Sequence, residues 1–409
     1  MINMDRRSFL MSSCLAGAYA VLGSGNARSG HAAGSFIERT LREFDVPGCA
    51  AAVVKGGRLV WSGGYGWADI GKKVPMTSRT VMNIASISKT ITATAVMQLW
   101  EAGRIDLDGD VGDHFPFPVR NPKFPAEVIT VRQLLNHRSS IRDGGFYRNS
   151  YSCGDPVVGL TDWIEGYFRP GGAYHDADDN FHDWPPGTLE PNVRSRGYSN
   201  VAYGLLGNLV ERVSGTDFSD YCKANILMPL GMNSTGWHIR EIEPDRHAVL
   251  YGKVSAEALE MARASFQAVL PAPGYSLDRM SADARMPHCL YSFPNYPDGL
   301  IRTSVEDLAL FLSFYAAGGN GAAPGILQDA TVQLMLSDAR DGRALCWARR
   351  TLENGDLMWG HSGSDPGVNT YMGFREKDGV GVIVFLNADS TGKARNLIIE
   401  SLFRESEVL

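Results

Sequence analysis

Apolar positions recur at helical spacing over residues 35–44, and the period then changes. Residues 49–55 and 58–65 are short β-type runs, and Gly56-Gly57 between them predicts a hairpin. From Ser86 the apolar set Ile87, Ile91, Ala95 and Leu99 returns to helical spacing among good helix formers and stops at Gly103. Further helical stretches are predicted near Val131, over 201–213 and over 218–226. Residues 305–316 predict another helix, followed by strand-like runs at 345–351, 358–361, 371–374 and 381–386. Sheet at both ends with helices between predicts an α/β (α+β) chain: an antiparallel sheet flanked by helices, interrupted by a mainly helical insertion. On this reading 34–81 and 286–409 form a discontinuous α/β domain, and 82–285 form the helical one. Residues 144–196 read as a loop-rich aromatic segment, with Tyr147, Tyr151, Trp163, Tyr167, Tyr174, Phe181 and Trp184 divided between pocket wall and packing.

The first 33 residues stand outside this scheme. Arg6-Arg7 ahead of a weakly apolar run to about Val21 has the layout of a twin-arginine export signal, with Ala27 or Ala33 offering a small-residue cleavage site. The run is shorter than the ~20 residues of a membrane-spanning helix, so a periplasmic or secreted protein without stable membrane insertion is expected.

The chain has 409 residues, 44% hydrophobic and 21% charged, which is globular composition and not that of a disordered chain. A formal net charge of -6 provides no basic field for nucleic acid, so a small-molecule substrate is the expected partner. The six cysteines are scattered without Cys-x-x-Cys spacing, and they read as buried small hydrophobes with neither a zinc site nor a disulfide framework.

Three short motifs carry chemistry. Ser86-Ile87-Ser88-Lys89 sets a hydroxyl and an amine on one face of a helix start. There the amine can take the serine proton if burial or a neighbouring cation depresses its pKa. Tyr198-Ser199-Asn200 precedes the helix predicted from residue 201, placing a phenol for proton relay and an amide for orienting a bound ester or amide. His361-Ser362-Gly363-Ser364 follows a strand-like run, where a backbone N–H can complete an oxyanion hole with that of Ser86. Each tripeptide is weak alone: Ser390-Thr391-Gly392-Lys393 repeats the first spacing and Tyr147-Arg148-Asn149 the second.

In this order the motifs resemble the serine β-lactamase and penicillin-binding-protein-like superfamily, closest to its branch of class C β-lactamases, family VIII esterases and D-aminopeptidases. The resemblance extends over nearly all the chain beyond the leader, through Val46-Pro47-Gly48, Leu134-Leu135-Asn136-His137, Pro186-Gly187-Thr188 and Pro229-Leu230-Gly231-Met232. It implies that Ser86 is the acylated nucleophile, with Lys89 and Tyr198 sharing general-base and general-acid duty. Asn200 would then bind the acyl side chain, and His361 would replace a lysine found in many β-lactamases. Gly363 would allow close backbone approach, and the Ser364 N–H would pair with that of Ser86. No cofactor or metal is implied.

Two departures bear on substrate. A histidine of ordinary pKa is mostly neutral at pH 7, unlike the permanent cation that suits the β-lactam carboxylate. The link from Pro186-Gly187 to Tyr198 is lengthened over 190–197, and Ser140 stands where a glycine often follows the leucine-rich segment. An esterase or D-amino-acid-type peptidase or amidase is therefore expected, with a slowly deacylating penicillin-binding or sensing protein, or a β-lactamase, as the alternative. A nucleophile elbow at Ser362 is disfavoured because no helix pattern follows it. His175, Asp176, Asp178, Asp179, His182 and Asp183 read as a solvated acidic loop in preference to a metal site, and Asp106, Asp108 and Asp110 lack the rest of a calcium loop.

Overall fold

The computed structural model describes residues 27–188, 197–253, 272, 285–319, 325–337 and 344–408, with side chains from residue 33. The expected leader as far as residue 26, and most of the lengthened 190–197 link, lie outside the described residues.

One seven-stranded antiparallel sheet is assembled from both ends of the chain. Its strands are β1 (Gly48–Lys55), β2 (Arg58–Asp69), β3 (Val74–Pro75), β4 (Ala348–Thr351), β5 (Leu357–Asp365), β6 (Val368–Arg375) and β7 (Gly381–Leu386). They run in the order β4-β5-β6-β7-β1-β2-β3, so β1 pairs with β7 from the C-terminal part and with its hairpin partner β2. Gly56 and Gly57, at φ 59° and 69°, make the β1–β2 turn in a left-handed conformation that suits glycine.

Strand alternation explains why β1 reads as a continuous apolar run. Ala50, Ala52 and Val54 enter one core, while Cys49, Ala51 and Val53 enter a second on the opposite face. Helices α1 (Ala27–Glu43) and α5 (Gly392–Glu405) cover the second core through Ile37, Leu41, Ile398 and Leu402. Helix α4 (Val305–Ala316) covers the first through Leu308, Phe311 and Leu312. The first core continues into a helical region built on α2 (Ser88–Glu101) and α3 (Val201–Ser214), which pack against each other.

Several local expectations change. The 218–226 helix divides into Phe218–Cys222 and a π-helical turn, Lys223–Leu227. The 345–351 run narrows to β4, whereas the 358–361 run extends to Asp365, so His361 to Ser364 lie inside a strand. The aromatic segment is better ordered than its Gly and Pro content suggests. It holds helix Leu160–Phe168, and Tyr147, Trp163, Tyr167 and Phe181 are buried in the first core. Cys153 and Cys289 form a disulfide, correcting the reading of all six cysteines as buried hydrophobes; Cys49, Cys222 and Cys346 are free and buried. The two bonded cysteines are 136 residues apart, so their pairing was not legible from spacing.

Candidate active site

Ser86 sits in a 3-10 turn, Ala85–Ile87, that runs directly into α2. The turn is unusual at its first residue, because Ala85 adopts φ 48°. One turn on, the fully buried Lys89 amine donates to Ser86 Oγ at 3.1 Å, Asn200 Oδ1 at 2.6 Å and the Asp298 carbonyl at 2.7 Å. Tyr198 is a further hydrogen-bond partner of this amine. The Asp298 carboxylate lies 3.7 Å from the same nitrogen.

These contacts correct the proton inventory expected from sequence. Burial does act to lower the Lys89 pKa, but Tyr198 and Asp298 outweigh it and the net direction is upward. Burial likewise raises the Tyr198 phenol, with Lys89 and a hydrogen bond to Ser86 pulling it back. Those neighbours favour the ammonium form of Lys89, which donates to Ser86 Oγ.

Tyr198 and Asn200 are delivered by the turn that opens α3. Asp143 holds that turn, accepting from the Asn200 N–H at 2.8 Å, the Val201 N–H at 3.0 Å and Asn200 Nδ2 at 2.8 Å. A carboxylate at a helix N-terminus is favoured by the exposed N–H groups and the dipole. Burial nevertheless raises the Asp143 pKa. His137 stacks on the Tyr198 ring at 4.0 Å between centroids and accepts the Ser199 N–H at Nδ1. Both ends of the Asn200 amide are thus engaged by protein, its oxygen by Lys89 and its nitrogen by Asp143.

Asn295 closes the base of the site. Its Nδ2 donates to the Asn200 carbonyl at 2.9 Å and to Asp298 Oδ2 at 2.6 Å. Burial pushes the Asp298 carboxyl up to about 7, with Lys89 working against the shift.

The third motif approaches from the sheet. β4 pairs only with residues Leu357 to Gly360 of β5, so beyond Gly360 that edge of β5 is left to the Ser86 turn, which packs against it. His361, Gly363 and Asp365 share one face of the strand. A Cβ on Gly363 would collide with the Ile84 carbonyl and Thr370 Oγ1, so glycine is needed for this approach. Asp365 is level with Asn83, and Gly363 with Ile84 and Ala85. His361 is buried, with Nδ1 2.8 Å from the Ser362 carbonyl, while Ser362 and Ser364 are exposed.

The structure therefore joins Ser86, Lys89, Tyr198 and Asn200 in one contact network and sets the His361–Ser364 strand beside it. Sequence reasoning missed Asp143, Asn295 and Asp298. Asp298 lies in a Pro-Asp-Gly turn whose geometry is legible, but its partner Lys89 is 209 residues away. The other motif-like groups have local roles. Tyr147 is a core residue and Lys393 begins α5. Asp108 and Asp110 bind Arg132 and Arg120, and Asp183 binds Lys123. Asp176 accepts the N–H groups of Asp178 and Asp179, and no group of three or more potential ligands could hold a metal ion among the described residues.

Comparison with known proteins supplies the lineage. Protein flp of Staphylococcus aureus (strain MRSA252) is 25% identical over 358 residues, covering 87% of this chain and 62% of that protein. Penicillin-binding protein 4* of Bacillus subtilis (strain 168) is 28% identical over 200 residues, covering 47% and 38%. The chain thus spans less than two thirds of the length of these curated relatives. Among solved structures, the D-amino acid amidase of Ochrobactrum anthropi SV3 superposes with a TM-score of 0.70 at 21% identity, covering 93% of this chain and 100% of the other. The octameric penicillin-binding protein homologue of Pyrococcus abyssi gives 0.67 at 24%, covering 91% and 77%. These two likenesses show the fold, and the beta-lactamase family model matches residues 35–402. On that match the chain belongs to the beta-lactamase family.

Proposed function

We propose that the protein is a serine hydrolase that forms an acyl-enzyme at Ser86 and acts on small esters or on amides and peptides of D-amino acids. The observation that carries this reading is the buried Lys89 amine 3.1 Å from Ser86 Oγ, with Tyr198 in the same network. Once the Lys89–Tyr198 pair has given up one proton to solvent, it takes the serine proton as Oγ bonds to the substrate carbonyl carbon. The oxyanion is received by the N–H groups of Ser86 and Ser364, and the carbonyl reforms as the leaving group departs with that proton. Water then takes the place of the leaving group and releases the acid from Ser86. A poised proton donor matters most for an amine leaving group, which favours the amide side of this class. Likeness to a D-amino acid amidase points the same way. Asn200 positions the acyl side chain by exchanging one of its protein contacts for the substrate.

The expected compartment is outside the cytoplasm. The Cys153–Cys289 disulfide fits an oxidising environment, as an export leader at Arg6-Arg7 would require. Among the described residues no helix is long and apolar enough to cross a membrane. We place the cleft between the sheet-bearing unit, 34–81 with 286–409, and the helical unit, 82–285.

Intact mass and turnover with an activated short-chain ester, D-phenylalanine amide and a penicillin test this reading. The native protein is expected to turn over the ester or the amide through a transient adduct. Ser86→Ala should form none and lose at least ~10³-fold in turnover. A durable penicillin adduct without ester or amide turnover would instead make the protein a penicillin-binding or sensing protein, and an adduct on Ser86→Ala would sink the nucleophile assignment.

A further inference from the structure

Ala85, immediately before the nucleophile, holds φ 48° although it carries a Cβ. A left-handed alanine persists only where its surroundings fix it. Three contacts hold the other polar groups of Ile84 and Ala85. Ile84 N–H donates to the Ile301 carbonyl at 2.9 Å, Thr370 Oγ1 donates to the Ile84 carbonyl at 2.8 Å, and Ser88 Oγ donates to the Ala85 carbonyl at 2.7 Å. The remaining polar group of the turn's first residue, the Ala85 N–H, donates to a side chain: Asn83 Oδ1, at 2.7 Å.

Asn83 is 1% exposed, and its amide has only one workable orientation. Its Nδ2 faces two oxygens, Tyr291 Oη and Asp365 Oδ2, each at 3.4 Å. Tyr291 Oη donates onward to the Pro366 carbonyl at 2.9 Å, and Asp365 Oδ1 accepts from Tyr151 Oη at 2.9 Å. Acceptors on that side require the NH₂ group there, which leaves the carbonyl oxygen toward Ala85. Asn83 therefore ties the residue before Ser86 to Asp365, which lies two positions beyond Gly363 on β5.

We propose that Asn83 is a positioning residue for Ser86, holding Ala85 left-handed so that the serine hydroxyl faces Lys89, with Asp365 and Tyr291 fixing the orientation of the Asn83 amide. This inference rests on Ser86 being the nucleophile. It assigns Asn83 no contact with substrate. Its function is conformational, so it can be replaced by a residue at position 85 that adopts positive φ without support, which is glycine.

The test is a mutant cycle read as the second-order rate of Ser86 labelling by a fluorophosphonate probe, with the labelled peptide identified by mass. Asn83→Leu is expected to slow labelling ~10-fold or more, and Ala85→Gly alone by no more than ~3-fold. In Asn83→Leu/Ala85→Gly the rate is expected to return to within ~3-fold of Ala85→Gly, a non-additivity that a general loss of packing would not produce. Asn83→Ala replaces the leucine variant if that chain does not fold. Labelling of the Asn83 variant at the native rate, or a loss that glycine leaves in place, overturns the inference while the acyl-enzyme reading stands. Failure of native Ser86 to label overturns both.

Discussion

On the α2 and α3 side of the site, protein already holds the polar atoms that matter. Lys89 donates to three oxygens, and the Asn200 amide is bound at both ends. The β5 side is built differently: Ser362 and Ser364 are exposed, and β4 stops short of this part of the strand. On the proposed function, a preorganised, buried half would set the rate of proton transfer, because its dipoles need not reorganise during reaction. On the same reading, the exposed Ser362 and Ser364 segment is instead the part that a substrate can engage. Apart from Asn200, to which the proposed function gives the acyl side chain, substitutions on the buried half should therefore cost rate with all substrates alike, and those on β5 should change which substrate is preferred.

The largest effect is expected at Lys89. Lys89→Met retains an apolar stem but removes the only cation bonded to Ser86 among the described residues. Acylation should fall by ~10³-fold or more with every substrate, with little change in their order of preference. Single-turnover burst rates on two unrelated esters measure this. A variant retaining more than about a tenth of the native rate would mean that the serine proton leaves by another route.

An intermediate effect, on stability, is expected at the end of β5. Burial pushes the Asp365 carboxyl up to about 7, opposed by hydrogen bonds from Tyr151 and Tyr291 and by the Lys89 charge. The folded protein keeps this proton to higher pH than the unfolded chain, whose aspartates release theirs near 4. The group's stabilising contribution is thus complete below about pH 4 and lost as pH rises through about 7. Asp365→Asn removes that dependence. Between pH 5 and 8 the native protein should lose about 1 kcal/mol more stability than the variant, roughly half of what ~1.4 kcal/mol per pH unit gives from pH 5 to the titration near 7 when no water reaches the group. Urea unfolding at both pH values reads the difference, and parallel curves would show that Asp365 ionises normally.

The contrast between the two halves also explains what the sequence made legible. The Gly56-Gly57 hairpin, the helix over 305–316 and the strand over 381–386 emerge at their predicted places because local period and turn chemistry decide them. Ser86, Lys89 and Tyr198 were recognisable from short spacing and chain order. Asp143 and Asp298 were not, because a buried carboxylate's partner is chosen by tertiary packing and leaves no local periodicity. Cys153 and Cys289 were misread for the same reason. The aromatic segment was read as loop-rich because Gly and Pro mark turns, yet Trp163 and Tyr167 sit on a helix that packs into the core.

The smallest effect, and the sharpest test of the contrast, is expected at His361. This residue shares a strand face with Gly363, whose position abuts the turn before Ser86, so a charge placed there acts on the substrate without entering the Lys89 network. Lysine at this position adds a permanent cation, worth about 1 kcal/mol to a nearby carboxylate once solvent and salt have screened it. His361→Lys should therefore raise kcat/KM for a carboxylate-bearing ester over its neutral analogue by ~5-fold, and the gain should shrink in high salt. Deacylation of a common acyl group should change little, because the proton carriers are on the opposite half. If the preference is unmoved while rates fall for both esters, His361 belongs to the buried machinery, and the division between a rate-setting half and a selecting half fails at that residue.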